Sequence, residues 1–255
     1  MLNKLLKLSR EVSMLEIKKL YKKYKRNNFY SLKDINIKLE KGEIVGLIGG
    51  NGAGKSTIIK SLVGFLKIDE GQVLVGGFDI SKEPIKAKQI IGYVPDNRAT
   101  FEKMTGIEYI NFMADIYNIS SKDRLETLNM LNEYFNLKDR LNSLISSYSH
   151  GMKQKICLMG AIIHKPKLLV LDEPLTGLDP LAAQSLKKFL LYYKSLGNTI
   201  LFSSHNLDQV EKTCDRVYMI KKGEIIDNFT IKDFDKKHDI SLEEYFVKIF
   251  GEINE

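Results

Sequence analysis

The sequence predicts an α/β fold: a core with a mixed central sheet, an N-terminal antiparallel β subdomain, and an inserted α-helical subdomain. Three observations carry that prediction. A β-rich apolar run, GEIVGLIG, ends in glycines and leads straight into a helix pattern. Strand-like runs return at KQIIGYVP, KLLVLDE and NTILFSSH. Between the first and second of these, from about Asp96 to His164, apolar residues recur at helical spacing.

In chain order, residues 1–13 (MLNKLLKLSREVS) read as an extension ahead of a second plausible start, Met14. They lack the apolar stretch and small-residue cleavage site of a secretory signal. Two readings stand for them: a disordered extension, or an amphipathic helix that brushes a membrane or a partner. The core takes 14–95 and 165–230. Leu15–Ile17 and Ile35–Leu39 alternate apolar and polar, as half-buried antiparallel strands do, and QVLVGGFDI reads as a further strand. In KSTIIKSLVGFL, Ile58, Ile59, Leu62, Val63 and Leu66 mark one face of a helix. The helical subdomain, 96–164, carries IEYINFMADIYNI and LETLNMLNEYFNL, with few β-branched runs. RVYMIKKGEII reads as a hairpin turning through Lys222-Gly223. In the tail, 231–255, Ser241 and Glu244 have capping-box spacing, Leu242, Tyr245, Phe246 and Ile249 form a stripe, and Gly251 is the stop.

Composition narrows the function classes. With 255 residues, 44% of them hydrophobic, the chain has room for one large domain or a core with a subdomain. No window approaches the ~18 uninterrupted apolar residues of a membrane span. Cys157 and Cys214 are isolated, without CxxC spacing, so neither a disulfide framework nor a zinc site is expected, and a reduced compartment fits. The formal charge of +7 comes from lysines scattered as pairs between apolar positions. That describes solvated surface first, and anionic headgroups or an acidic partner next; no nucleic acid is expected.

The chemistry sits in a few short stretches. Gly49-Gly50-Asn51-Gly52-Ala53-Gly54-Lys55-Ser56-Thr57 satisfies GxxxxGK followed by Ser or Thr, between a strand and a helix. Glycines let the backbone curl so that several N–H groups point at one centre, and the following helix adds its positive end. Lys55 would reach the β- and γ-phosphates, and Ser56 would ligate Mg²⁺. The expected ligand is a nucleoside triphosphate and the core is a P-loop NTPase core. In LLVLDEP a buried strand delivers Asp172 to hold Mg²⁺, and Glu173 points differently and can polarise the attacking water. His205 closes NTILFSSH; beside these residues, a γ-phosphate contact that orients the water is favoured over a merely structural histidine. Finally, YSHGMKQK places a Ser-His-Gly corner before a helix pattern running to about His164. Ser149 and the N–H groups near Gly151 there offer donors at a helix N-terminus.

Together these residues resemble the ATP-binding subunits of ABC transporters, over nearly the whole chain and in the family's order: Lys55-Ser56 loop, YSHGM, LLVLDEP, TGLD, SSH. YSHGM stands where the family signature, typically LSGGQ, is found; Ser149 and Gly151 match, while His150 and Met152 depart. Tyr24 stands where the family keeps an aromatic that stacks on adenine, and Asp179 matches the loop that crosses the dimer interface. The resemblance implies ATP and Mg²⁺ as cofactors, hydrolysis, and a head-to-tail dimer with a second nucleotide-binding subunit. Ser149 and Gly151 would then bind the γ-phosphate held by the opposing chain. It also implies a transmembrane permease subunit and a peripheral place on the cytoplasmic face of the cell membrane. The YS-x-GMKQ form and the SLEEYF tail look like export-type subunits with separately encoded membrane proteins.

Two departures leave alternatives open. Asp96 occupies the family's usual Gln position: either it ligates Mg²⁺ in a working site of altered geometry, or it caps the first subdomain helix. His150 either faces outward without consequence or makes hydrolysis pH-sensitive. Two rival functions fit the sequence less well. A soluble ABC ATPase of ribosomes or DNA would carry tandem domains or long coiled coils, but this chain has one phosphate loop and no sustained heptads. A non-catalytic regulator sits poorly with Glu173 and His205.

Overall fold

A computed structural model describes residues 13–25, 28–96 and 101–251; both readings of the N-terminal extension fall outside them, on residues 1–12. Among the described residues, ten strands form two sheets. The first joins β1 (Leu15–Lys23), β2 (Tyr30–Leu39), β4 (Glu70–Val75) and β5 (Phe78–Asp79) in the order β2-β1-β4-β5, all antiparallel. The second joins β3 (Ile44–Ile48), β6 (Ile91–Val94), β7 (Leu168–Asp172), β8 (Thr199–Ser204), β9 (Arg216–Lys221) and β10 (Glu224–Thr230). Its order is β10-β9-β3-β8-β7-β6, parallel except for the β9–β10 hairpin, so the central sheet is mixed.

The central strands have no polar face because both of their faces are covered. Their side chains divide by the two-residue period of a strand. Ile44 and Ile48 of β3, Leu169 and Leu171 of β7, and Ile200 and Phe202 of β8 join one apolar cluster. That cluster includes Ile110, Leu131, Phe135 and Ile156 from the helical insert. Val45, Leu47, Leu168, Val170 and Leu201 point the other way, into a second cluster with Leu15, Ile35, Ile58 and Ile59. One sheet therefore carries the antiparallel subdomain on one side and the helical insert on the other.

The insert lies between β6 and β7. Its helices are α3 (Gly106–Ile116), α4 (Ser121–Phe135) and α5 (His150–Ile162), preceded in the chain by α1 (Lys55–Leu62) and α2 (Pro84–Gln89). Thr105 caps α3 in a reciprocal box with Glu108, Ser120 caps α4, and Ser149 caps α5 through Met152 N–H. The cap of the first subdomain helix is thus Thr105, which removes that role from Asp96. The C-terminal half adds α6 (Pro180–Ser195), α7 (Leu207–Glu211), α8 (Ile231–Lys237) and α9 (Leu242–Gly251), the last with the Ser241–Glu244 box in place.

Two local expectations are corrected. QVLVGGFDI is a hairpin: Gly76 and Gly77 take φ of +55° and +89°, and β4 folds back onto β5 with Val75 opposite Phe78. Helix α1 ends at Leu62, because Gly64 takes φ +73°; Val63 is its cap and Leu66 lies beyond it.

Candidate nucleotide-binding site

The loop from Gly49 to Gly54 connects buried β3 to α1, and close approach requires glycine at its two ends. A Cβ on Gly49 would stand 2.3 Å from Ile220 O, and one on Gly54, at φ +117°, would stand 2.9 Å from Leu32 Cδ2. The turn of the β9–β10 hairpin braces the loop: Gly223 N–H donates to Ala53 O, and Gly223 O accepts from Lys33 N–H, both at 2.8 Å. Lys55 is buried, and its Nζ donates to Gly49 O at 2.7 Å and Gly50 O at 3.3 Å.

Strand β7 delivers the acidic pair. Asp172 is buried and accepts from Ser203 Oγ at 2.6 Å. Glu173 follows with φ +48°, an uncommon conformation for a non-glycine residue, and its carboxylate meets partners other than those of Asp172. Its N–H donates to the same Ser203 Oγ at 3.0 Å. Its carboxylate lies 2.9 Å from His205 Nδ1 and 3.9 Å from Lys55 Nζ. The glycine loop, the β7 end and the β8 end thus converge on one carboxylate, with His205 held on the exposed side.

Beside this cluster opens a cleft of about 870 Å³, within the usual range for small-molecule sites. It is lined by Gly50 to Thr57, Asp96 and Glu173 together with Phe29, Tyr30, Ser31, Lys33 and Lys222–Glu224. Burial, then the charges of Asp172 and Asp96, push the Tyr93 hydroxyl up to about 12. Ser56, Asp172 and Asp96 are hard oxygen donors of the kind Mg²⁺ takes. Among the described residues there is no group of three or more His, Cys, Asp or Glu that could hold a metal unaided. A cation here would complete its shell with phosphate oxygens and water, which suits the way Mg²⁺ accompanies nucleotides.

The other expected residues fall in three places. Gly49 and His205 border a smaller cavity of about 270 Å³ with Gly50, Asn51, Leu207 and Phe246. Tyr24 does not line the cleft; its hydroxyl sits 3.4 Å from Thr57 Oγ1, and the lining aromatics are Phe29 and Tyr30. Ser149, Gly151 and Asp179 line neither space. Gly151 lies beside the Leu178-Asp179 segment instead: a Cβ on it would lie 3.8 Å from Leu178 Cδ2 and 3.9 Å from Asp179 Oδ2, while Asp179 caps α6 through Ala182 N–H. His150 is exposed, with its Nε2 against Gly177, where a Cβ would come within 2.8 Å.

Sequence reasoning missed Ser203, Phe29 and Tyr30. The serine pair ahead of His205 in SSH, at the end of a buried strand, was the available signal for the first, and NNFY before β2 for the others.

A buried strand, a glycine loop braced from behind and an acidic pair at a neighbouring strand end define a nucleotide-hydrolysing P-loop core. The family profile described as ABC transporter matches residues 32–176. The linearmycin resistance ATP-binding protein LnrL of Bacillus subtilis (strain 168) is 37% identical over 213 residues, 84% of this chain and 68% of that protein. The ABC-type transporter ATP-binding protein EcsA of the same organism is 32% identical over 244 residues, 94% of this chain and 98% of its own length. Among solved structures, one titled "Structure of ATP binding subunit of ABC transporter" superposes with a TM-score of 0.88 at 32% identity. It covers 93% of this chain and 100% of its own. The chain belongs to the ABC transporter family, as an ATP-binding subunit and ATPase.

Proposed function

We propose that this ATPase drives export of a substrate through a separate transmembrane permease subunit, working in pairs with two ATP molecules sandwiched head to tail. The observation that carries the catalytic part is the Glu173 carboxylate, held 2.9 Å from His205 Nδ1 and 3.9 Å from Lys55 Nζ at the cleft. Glu173 takes a proton from water as that water attacks the γ-phosphorus. The bond to the β-phosphate oxygen breaks, leaving ADP and phosphate. With Nδ1 engaged by Glu173, His205 has Nε2 to offer the γ-phosphate, and Lys55 with the loop N–H groups neutralises the transferred oxygens. Ser56 with Asp172 and Asp96 would hold Mg²⁺, which when bound supplies further charge neutralisation at the phosphates.

The pairing rests on Ser149 and Gly151. They sit at the N-terminus of a thirteen-residue helix, yet line no part of their own chain's cleft. Donors so placed suit a phosphate held by a second nucleotide-binding subunit. Among the described residues no helix is long and apolar enough to cross a membrane, and the pathway is assigned to the permease, with this subunit peripheral on its cytoplasmic face. A relative named for linearmycin resistance supports the outward direction.

The test is Glu173→Gln. Loss of the general base should lower kcat by on the order of 10²–10⁴, leave ATP binding intact and trap an ATP-dependent dimer. Hydrolysis at the wild-type rate would remove Glu173 as the base. Affinity purification from solubilised membranes should bring down a multi-span protein; ribosomal RNA or DNA in its place would favour a soluble role.

A further inference from the structure

We propose that Gln154 is a positioning residue for Glu173, linking the hydrolytic carboxylate of one chain to the helix end that serves the partner's nucleotide. This rests on the reading of Glu173 as base and of Ser149 and Gly151 as the opposing half-site.

Gln154 lies on α5, one turn beyond Ser149, and is fully buried. Its Nε2 donates to Pro174 O at 3.0 Å, and its Oε1 makes no hydrogen bond. An unpaired buried carbonyl is destabilising, so an apolar side chain would serve this core better if packing were all that mattered. What the amide does is hold the backbone one residue past Glu173. Glu173 sits at φ +48°, a conformation that needs holding, and it is gripped from both sides. Ser203 takes its N–H, and Gln154 takes the carbonyl of the next residue.

The grip belongs to one docked surface. His150 stands against Gly177, and Gly151 faces Leu178 and Asp179, so the segment following Glu173 leans on the first turn of α5 at several points. An α-helix moves as a rigid rod over such a distance. When the Ser149 end is drawn toward a partner's phosphate, Gln154 carries Pro174 O with it, and the Glu173 carboxylate is re-aimed relative to Lys55 and His205. Occupancy of one composite site is thereby felt at the base of the other.

The experiment uses the full chain with two substitutions. Gln154→Met keeps the volume and removes the donor; Gln154→Glu has a donor only when protonated. ATP hydrolysis is followed against ATP concentration and pH, binding by a fluorescent ATP analogue, and folding by thermal melting. Gln154→Met should lose on the order of 10- to 100-fold in kcat, as misplaced catalytic groups do, while its nucleotide affinity stays within about twofold. Its Hill coefficient should fall toward one. Gln154→Glu should regain rate as pH falls, which neither wild type nor Gln154→Met does. A folded Gln154→Met with wild-type kcat overturns the proposal. So does Gln154→Glu following the wild-type pH profile, which decides the matter if the Met variant does not fold. A kcat loss with an unchanged Hill coefficient overturns the link to the partner. The Glu173→Gln variant separates the underlying readings. If it hydrolyses normally, the base assignment fails and this proposal with it. If it is inactive while Gln154→Met is normal, only this proposal fails.

Discussion

Replacing Ser203 by alanine removes two hydrogen bonds at one atom. The hydroxyl, fully buried at the end of β8, donates to Asp172 Oδ1 at 2.6 Å and accepts the Glu173 N–H at 3.0 Å. The first is charge-assisted, contributing about 1.5–3 kcal/mol. The second leaves a donor unpaired, at a cost of about 1–3 kcal/mol if no water reaches it. Because Glu173 is only partly buried, the lower end applies to that term, and the sum is about 3 kcal/mol. For a chain of this size each kcal/mol lowers Tm by ~2–4 °C, so calorimetry should show a drop of about 6–12 °C. Hydrolysis should fall as well, since both acidic residues lose their common anchor, while nucleotide binding through the Lys55 loop persists. A variant melting within about 2 °C of wild type, with unchanged kcat, would refute this account of how the acidic pair is held.

Asp96→Gln should change the Mg²⁺ dependence of hydrolysis, since it removes a hard anionic donor lining the cleft; identical rates across a Mg²⁺ titration would take Asp96 out of the metal site. His164 tests the helical insert. Its Nε2 bonds Ile91 O at 3.0 Å, its ring stacks on Tyr117 at 3.6 Å, its Nδ1 is unpaired, and burial pushes its pKa down to about 4. Below about pH 6.5 the unfolded chain takes up a proton that the folded chain refuses, so this group's contribution is full above that pH and is lost as pH falls toward 4. Urea melts at pH 7 and 4.5 should show His164→Gln losing about 2.5 kcal/mol less than wild type between those values; equal losses would show that His164 is not the acid-labile group.

Period and spacing made the central elements legible. Runs such as LLVL are apolar throughout because both faces are covered, and GGNGAGKST announces itself by a spacing contained within nine residues, although Ile220 and Leu32 are what require glycine at Gly49 and Gly54. Breaks inside elements were harder to see. In QVLVGGFDI the β signal is strong on both sides of Gly76-Gly77, and only the left-handed φ of both glycines turns it into a hairpin. In KSTIIKSLVGFL the apolar stripe continues past Gly64, although the helix does not. Long-range partnerships were invisible for a different reason. The strand-end serine pair in SSH flags Ser203, but nothing local names Asp172 and Glu173, thirty residues away, as its partners, and nothing in YSHGMKQK says that Gln154 will reach Pro174. Phe29 and Tyr30 reach the cleft because β2 passes beside the glycine loop, a matter of sheet placement.

The bracing of the loop by Lys222-Gly223 has a consequence for biosynthesis. The glycine loop is written near residue 50, but β3, which carries it, is paired on one side by β8 and on the other by β9; Gly49 rests on Ile220, and Ala53 O is held by Gly223 N–H. A nascent chain halted before β9 has the whole glycine sequence and β8, but not the contacts of Ile220 and Gly223. Such non-local pairings are slow to form, and the bracing contacts of the loop can be made only after β9 and the hairpin turn have been synthesised. The last contacts around the loop therefore come from the C-terminal part of the core, although the loop itself is written near the start of it.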